Sequence, residues 1–494
     1  MSNNTEPFGF IAFKFDERTK SPKGFILTYK RSELDLWLAQ PNTSESEGAP
    51  GKDRATSDRA EEGVEQSESE TLSRLLKSYS KSMSSIRSTF TLTLVLGPAM
   101  QVGTINTSLI PHAEKHLTKL ADDEKSKIYS FSIADSVEIA RKVNKYMETK
   151  DGFDQLPSAI LLTIGAIFDS QFSEILKYFL SIRPERYKSS DKALSLKEIF
   201  SMKSLDDVIE KVIVDEIADK MRGSHAEQID FVEKQFDVDI ISSYSRWPEF
   251  IEIFERRNLA AHGNLVVNGI YLKKCAAAGA GVNSLPKIDA KLEIDAQYLN
   301  SSVDILTEFG LLLISTLWRK HKAPNDEASF QLINDLCVTF IKEKRYMLAI
   351  RLLESGLQKK KVVCPDIILK MMTVNLANAH KKAGNIAKCK DILDNADFSA
   401  ANDSFQLCVA ALHEDIPRVI SLMAPVAQGG QVHAGNFRDW PVLDWVRDHP
   451  DVVVKFEEVY GEPIQKKVDE DIRDEIIVED VADLNDVDDT GTVH

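Results

Sequence analysis

Apolar residues recur every three to four positions through most of the chain, and this spacing predicts a mainly α-helical protein. The pattern is continuous from 155 to 322, where SAILLTIGAIFDSQFSEILKYFL and LEIDAQYLNSSVDILTEFGLLL predict two long amphipathic helices. No apolar run reaches the ~18 residues that a membrane span requires. The most apolar segments are therefore predicted to be buried helices, and no membrane association is expected.

The N-terminal region has a different pattern, in which aromatic and β-branched residues cluster. FGFIAFKF and GFILTYKRSELDLWL, within residues 1–40, predict two strands joined by a turn near SPKG in a small β or mixed unit. Residues 41–70 contain almost no large apolar side chain and are predicted to be a disordered linker. Residues 71–150 mix helical and apolar segments and are interpreted as an α/β continuation of the N-terminal region.

Helical hairpins in tandem are predicted over residues 327–467. EKRYMLAIRLLESGL, KAGNIAKCKDILDNA and HEDIPRVISLMAPV share a polar turn followed by apolar pairs, at a spacing of roughly 30 to 40 residues. This pattern resembles degenerate tetratricopeptide repeats, and the closing WPVLDWVRDHPDVVVKFEEVYGEP resembles a capping segment. The resemblance implies an α-solenoid that presents a concave surface to a protein partner.

The formal net charge of −16 argues against a protein that coats nucleic acid, which would be basic. Residues 468–494 carry 11 acidic residues and one arginine, a net charge of −10 that leaves −6 for the rest of the chain. This segment is interpreted as a disordered acidic tail, with competition for a basic groove or partner binding as alternatives. The five cysteines lack metal-ligand spacing, and the N-terminus lacks a secretory signal. Free thiols and a cytoplasmic location are therefore predicted.

Polar residues crowd into the end of a predicted helix, WPEFIEIFERRNLAAH (247–262). Pro248 and Glu249 suit the N-terminal end of a helix, and Gly263 is predicted to end it in the left-handed conformation. The segment that follows, LVVNGIYL, predicts a β-hairpin with an Asn-Gly turn.

Arg257, Asn258 and His262 have the chemistry for phosphodiester cleavage. Asn258 and His262 are four residues apart on one helix face, whereas Arg257 lies ~140° round the helix from His262. A guanidinium binds phosphate and stabilises developing negative charge, and an imidazole transfers protons near neutral pH. Because RNA supplies its own 2′-hydroxyl as nucleophile, the reaction requires no metal, and no cofactor is expected.

The run from Arg257 to His262, RNLAAH, resembles the Rx4–6H motif of HEPN domains. The upstream DSQFSEILKYFL, the tryptophan-led helix, the following GNLVVNGIYL and a closing amphipathic helix stand in that family's order over residues 155–322. The resemblance implies a helical domain that forms a homodimer with two motifs in one cleft. It also implies a metal-independent endoribonuclease whose products end in 2′,3′-cyclic phosphates. By the same resemblance, Arg257 positions the phosphate, His262 transfers a proton, and Asn258 orients His262 or the RNA.

Further cations are weaker candidates for the site. Arg256 is an accessory candidate under the Rx5H spacing, and five cations are candidates for binding the RNA backbone: Lys273, Lys274, Arg319, Lys320 and Lys322. An endoribonuclease regulated through a repeat array that binds a protein suits a toxin–antitoxin pair or anti-phage defence.

Alternative functions stay open because an Arg-Arg pair before His and Gly is also a good helix ending. The chain is then a non-catalytic HEPN scaffold or an RNA- or nucleotide-binding module that recruits a protein. In a third alternative, the chain is the target of another enzyme, such as a nucleotidyltransferase.

Three other patterns predict no site. APGKDR lacks the GxxxxGK[ST] spacing of a phosphate loop, and CAAAGAGVNS (275–284), predicted to be a loop, lacks the GxGxxG spacing of a dinucleotide site. His112 and His116 are four residues apart, which suits two zinc ligands, but no third ligand is evident. No metal site is therefore predicted.

Overall fold

The structure, a computed structural model, describes residues 9–15, 22–28, 68–122, 126–183, 202–281, 284–321, 327–357 and 364–464, with isolated residues between 185 and 198. Contacts divide the chain into two compact units, Met1–His321 and Lys322–His494. The described residues are mainly helical with a small N-terminal sheet, which confirms the predicted fold class at that level. The predicted linker up to residue 67 and the predicted acidic tail lie outside the described residues.

The N-terminal sheet has four antiparallel strands in the order β2-β1-β4-β3. β1 (Gly9–Phe15) pairs with β2 (Pro22–Thr28), as the sequence predicts. On its other edge β1 pairs with β4 (Ser126–Phe131), which also pairs with β3 (Thr118–Asp122). Alternate residues of β1 therefore face opposite sides of the sheet. One side buries Ile11, Phe13 and Tyr129, and the other buries Phe10, Ala12 and Ile128.

The helices described in the first unit pack around a central one. They are α1 (Glu68–Thr104), α2 (Ile110–His116), α3 (Ser136–Ser181), α4 (Leu205–Lys220), α5 (His225–Phe236), α6 (Trp247–His262), α7 (Gly269–Ala277) and α8 (Ala296–His321), with a π-helix Ile105–Leu109 between α1 and α2. α8 packs against α1, α3 and α6. A Cβ atom at Gly310 of α8 would lie 2.1 Å from Cζ of Tyr79, so glycine permits the close approach of α1.

α3 is one continuous helix of 46 residues with Pro157 in its interior. The sequence pattern predicts separate helices with a domain boundary at 150–155, and this boundary lies inside α3. Packing explains the continuity, because α1 supports the segment before the proline. Phe153 of α3 lies against Gly97 of α1, where an added Cβ atom would be 2.9 Å from its Cδ1 atom. This contact favours the helix across the proline, whose missing N–H removes only one hydrogen bond.

α3 and α8 are both long and apolar enough, by length and composition, to span a membrane. The most apolar window of α8 is 78% buried inside the molecule, and that of α3 is 44% buried. The central helix of a soluble protein passes the same test, so the two helices are weak evidence for a membrane span.

The second unit consists of helices that pack on their neighbours in sequence. They are α9 (Glu327–Lys342), α10 (Tyr346–Leu357), α11 (Asp366–Lys382), α12 (Ile386–Asp394), α13 (Asp403–His413), α14 (Ile416–Gln428), α15 (Ala434–Asp439) and α16 (Pro450–Tyr460), with a 3-10 helix Pro441–Trp445. α9, α11 and α13 also pack side by side, and α14 packs on α16. Gly384, with a φ of 84°, supplies the left-handed residue in the turn between α11 and α12.

Candidate functional site

α6 carries the predicted motif and begins and ends where the sequence predicts, at Trp247 and His262. The mechanism of its ending differs from the prediction. Gly263 has a φ of −129°, so the glycine is not left-handed. The left-handed residues are Asn264 and Leu265, with φ values of 49° and 63°. The chain reverses there because the N–H groups of Gly263 and Leu265 both donate to the carbonyl of Leu259.

The predicted hairpin in LVVNGIYL is wrong, because the Asn-Gly pair begins a helix. The Asn268 side chain accepts a hydrogen bond from the backbone N–H of Tyr271 at 2.9 Å, and α7 runs from Gly269 to Ala277. Asparagine is a preferred residue both at a helix N-cap and in a tight turn, so the sequence alone did not decide between the two structures. The extended segment before it pairs instead with residues 289–292, through an antiparallel bridge between Val266 and Lys291 and backbone hydrogen bonds of Val267 and Leu265.

An aromatic cluster fixes the buried face of α6. Phe254 lies 5.3 Å, between ring centroids, from Phe168 of α3, and Phe250 lies 4.1 Å from Phe309 of α8. Both rings are fully buried. The last two turns of α6, which carry the motif, therefore project from a rigidly packed segment of the helix.

Arg257 lies against α3, and its buried Nε atom has no partner in the part of the chain that the structure describes. A Cβ atom at Gly165 of α3 would lie 3.4 Å from Nε of Arg257 and 3.6 Å from its Cγ atom. An alanine there would touch the side chain at an ordinary van der Waals distance. The Nε atom is buried without a hydrogen bond, and the terminal nitrogens make none within the described residues. The terminal nitrogens are therefore the part of the guanidinium that is left to bind an anion.

Asn258 and His262 lie on one face of α6, as predicted, and both side chains are open to a ligand. His262 is exposed in the last turn of the helix, and Asn258 is half-buried. Neither side chain makes a hydrogen bond within the part of the chain that the structure describes. Arg257 lies ~7.5 Å before His262 along the helix axis, within reach of a substrate that spans both.

Arg256, the accessory candidate, is engaged in a network that holds α6 to its neighbours. Its Nε donates to Oε1 of Glu252 at 2.7 Å, and an Nη donates to the carbonyl of Glu293 at 2.8 Å. The hydroxyls of Tyr271 and Tyr298 also donate to Glu252, at 2.7 and 2.8 Å. Burial lowers the pKa of Arg256, but Tyr298 and Glu252 together raise it by more, so the net shift is upward. This arginine is therefore held as a structural cation.

The five predicted phosphate-binding cations fall into different environments. Lys274 pairs with Glu255 at 2.9 Å, and Lys320 pairs with Asp237 at 2.7 Å. Burial lowers the pKa of Arg319 to about 10. Lys273 is exposed on α7, and Lys322 lies outside the described residues. Of the five, Lys273 is the one that the structure leaves exposed without an ion pair among the described residues.

A histidine and an aspartate that the motif analysis missed lie beside α6. Nε2 of His225 is 2.8 Å from Oδ1 of Asp169, and the imidazole stacks on Phe254 with ring centroids 3.4 Å apart. Asp169 is the first residue of the DSQFSEILKYFL segment. It is 56 positions from His225, so no local spacing links the two.

His112 and His116, the candidate zinc pair, lie on α2 with ring centroids 4.8 Å apart. Burial, Lys142 and His116 lower the pKa of His112. Among the described residues, no group of three or more His, Cys, Asp and Glu side chains could hold a metal ion.

The second unit contains a cavity of about 350 Å³ between α9, α11, α13 and the 3-10 helix. Apolar side chains line it together with three asparagines, Asn334, Asn375 and Asn402. The amide of Asn375 donates to Oδ1 of Asn334 at 2.8 Å. Apolar walls with a few fixed polar groups are typical of ligand and peptide sites.

Comparison of the chain with protein-family models, with characterised proteins and with solved structures finds no match. The functional interpretation therefore rests on the residues and their geometry.

Proposed function

We propose that this chain is a metal-independent endoribonuclease of the HEPN type that acts as a homodimer in the cytoplasm. The observation that carries the proposal is the state of Arg257. Its guanidinium extends from a rigid helix beside Gly165, and its terminal nitrogens make no hydrogen bond within the described residues. These donors suit a bound phosphate, which a guanidinium pairs with through two parallel hydrogen bonds.

The neighbouring side chains complete the proposed site. Asn258 and His262 continue from Arg257 along the same helix, and neither is engaged by another described residue. Arg257 holds the scissile phosphate and its developing charge, and His262 transfers a proton. Lys273 is the exposed cation of α7 that extends the site along the RNA backbone.

The second unit supports a regulatory part of the proposal. Its successive helices suit a tetratricopeptide-like array, and the cavity beside Asn334 and Asn375 offers apolar walls and amide groups to a protein partner. A ribonuclease joined to such a surface suits a toxin or an anti-phage effector. The alternative is a non-catalytic scaffold, in which partner binding is the whole function.

RNA cleavage in excess EDTA tests the proposal, with His262→Ala compared against His413→Ala. His413 is also an exposed histidine in the last turn of a helix, α13. The wild type and His413→Ala are expected to cleave RNA to 2′,3′-cyclic phosphate ends. His262→Ala is expected to lose activity by about 10²–10⁴-fold with unchanged folding. Equal activity in all three proteins would exclude His262 from the chemistry, and a folded, inactive wild type would favour the scaffold.

A further inference from the structure

We propose that His225, oriented by Asp169, is the general base that removes the 2′-hydroxyl proton of the RNA. This inference rests on the proposed endoribonuclease function and names a second catalytic residue for it. Cleavage needs two proton transfers, one from the 2′-hydroxyl and one to the leaving 5′-oxygen. A guanidinium performs neither near neutral pH, because it stays protonated. His262 performs one of them, so a second group is required.

The position of His225 fits that requirement. α3 and α6 run antiparallel, because Gly165 lies against Arg257 and Phe168 lies against Phe254. His225 stacks on Phe254, three residues before Arg257 on the same helix. Its imidazole therefore lies about one helical turn, ~5 Å along the axis, from the phosphate-binding arginine. His262 lies ~7.5 Å beyond Arg257 along the same axis and ~140° round the helix, so the proposed RNA crosses the guanidinium to reach both imidazoles.

The contact with Asp169 also orients the imidazole of His225. In the tautomer that donates its Nε2 hydrogen to the Asp169 carboxylate, Nδ1 carries the lone pair that can accept a proton. Nδ1 makes no hydrogen bond within the described residues and is not fully buried. The His225 and Asp169 side chains are 13% and 27% exposed. The pair thus forms an imidazole fixed on one side and open on the other.

The proposed step balances as a transphosphorylation. The 2′-oxygen attacks phosphorus as its proton passes to Nδ1 of His225, and the P–O2′ bond forms. The P–O5′ bond breaks as the imidazolium of His262 donates a proton to the 5′-oxygen. The products are a 2′,3′-cyclic phosphate and a 5′-hydroxyl, and proton exchange with water restores both histidines.

An activated substrate separates the two histidines. Uridine 3′-(4-nitrophenyl phosphate) has a leaving group that departs without a proton, so it needs the base but not the acid. His225→Ala is expected to lose about 10²-fold or more on both RNA and this ester. His262→Ala is expected to lose as much on RNA but to cleave the ester within a few-fold of the wild type. His225→Gln, which can keep the hydrogen bond to Asp169, is expected to fold and to be as inactive as His225→Ala.

His380→Ala is the matched control, because His380 is also a buried histidine near a carboxylate, 3.6 Å from Glu354 in the second unit. It is expected to leave both reactions unchanged. His225→Gln cleaving RNA like the wild type would overturn the assignment while the proposed function stands. A folded wild type that cleaves neither substrate would overturn both together.

Discussion

Two adjacent arginines on α6 meet opposite environments. Arg256 is paired with Glu252, donates to the carbonyl of Glu293 and stacks on Tyr298 at 4.0 Å. The Nε atom of Arg257 is buried without a partner among the described residues. The first arrangement satisfies the charge and therefore contributes to stability. The second leaves the terminal nitrogens without a hydrogen bond among the described residues, as the proposed phosphate site requires.

The largest effect on stability is expected from removing the carboxylate on α6 that pairs with Arg256. Glu252→Ala removes the acceptor of Arg256, Tyr271 and Tyr298 at once. Because this removes the carboxylate that neutralises a mostly buried arginine, the free energy of unfolding is expected to fall by about 2–4 kcal/mol. Urea unfolding measures this change, with Asp230→Ala as control, because Asp230 forms its one ion pair among the described residues with exposed Lys234. An equal effect of the two substitutions would contradict a structural role for the Glu252 network.

A smaller effect is expected from filling the space beside Arg257. Gly165→Ala would place a methyl group 3.4 Å from Nε, an ordinary contact that restricts the guanidinium. Stability is expected to rise by about 0.5–1 kcal/mol, since glycine is costly inside a helix. RNA cleavage is expected to fall several-fold.

Gly152→Ala controls for helix propensity, because a Cβ atom at Gly152 of α3 meets nothing within 4 Å. It is expected to raise the free energy of unfolding by a similar amount and to leave cleavage unchanged. Equal cleavage by both glycine variants would show that the conformational freedom of the Arg257 side chain does not affect RNA cleavage.

The smallest effect separates the two lysines of α7. Lys273→Ala is expected to weaken binding of an RNA oligonucleotide and to reduce the slope of log K against log salt by about 1, since it removes one phosphate contact. Lys274→Ala is expected to change RNA binding less, because Lys274 is occupied by Glu255. Fluorescence anisotropy at several salt concentrations measures both variants, and identical slopes would remove Lys273 from the proposed site.

The sequence predicted the helix that carries the motif better than its surroundings. Pro248 and Glu249 at its start and the polar residues before Gly263 at its end located α6 correctly. Local pattern could not show that Arg256 is paired, because two of its partners, Glu293 and Tyr298, are distant in sequence. The same holds for Asp169 and His225, which meet only when α3 and α5 pack. Asn268 shows the remaining limit, because one residue type serves both a turn and a helix cap.

We assign a structural role to Arg256 and a phosphate-binding role to Arg257. Measuring both the free energy of unfolding and RNA cleavage in EDTA for Arg256→Ala and Arg257→Ala tests this central claim most directly. Arg256→Ala is expected to lower the free energy of unfolding by about 2–4 kcal/mol, with a comparatively small loss of cleavage at a temperature where it is folded. Arg257→Ala is expected to stay within about 1 kcal/mol of the wild type in stability and to lose cleavage by about 10²–10³-fold. Similar losses of stability and activity in both variants would contradict the division between a structural and a phosphate-binding arginine.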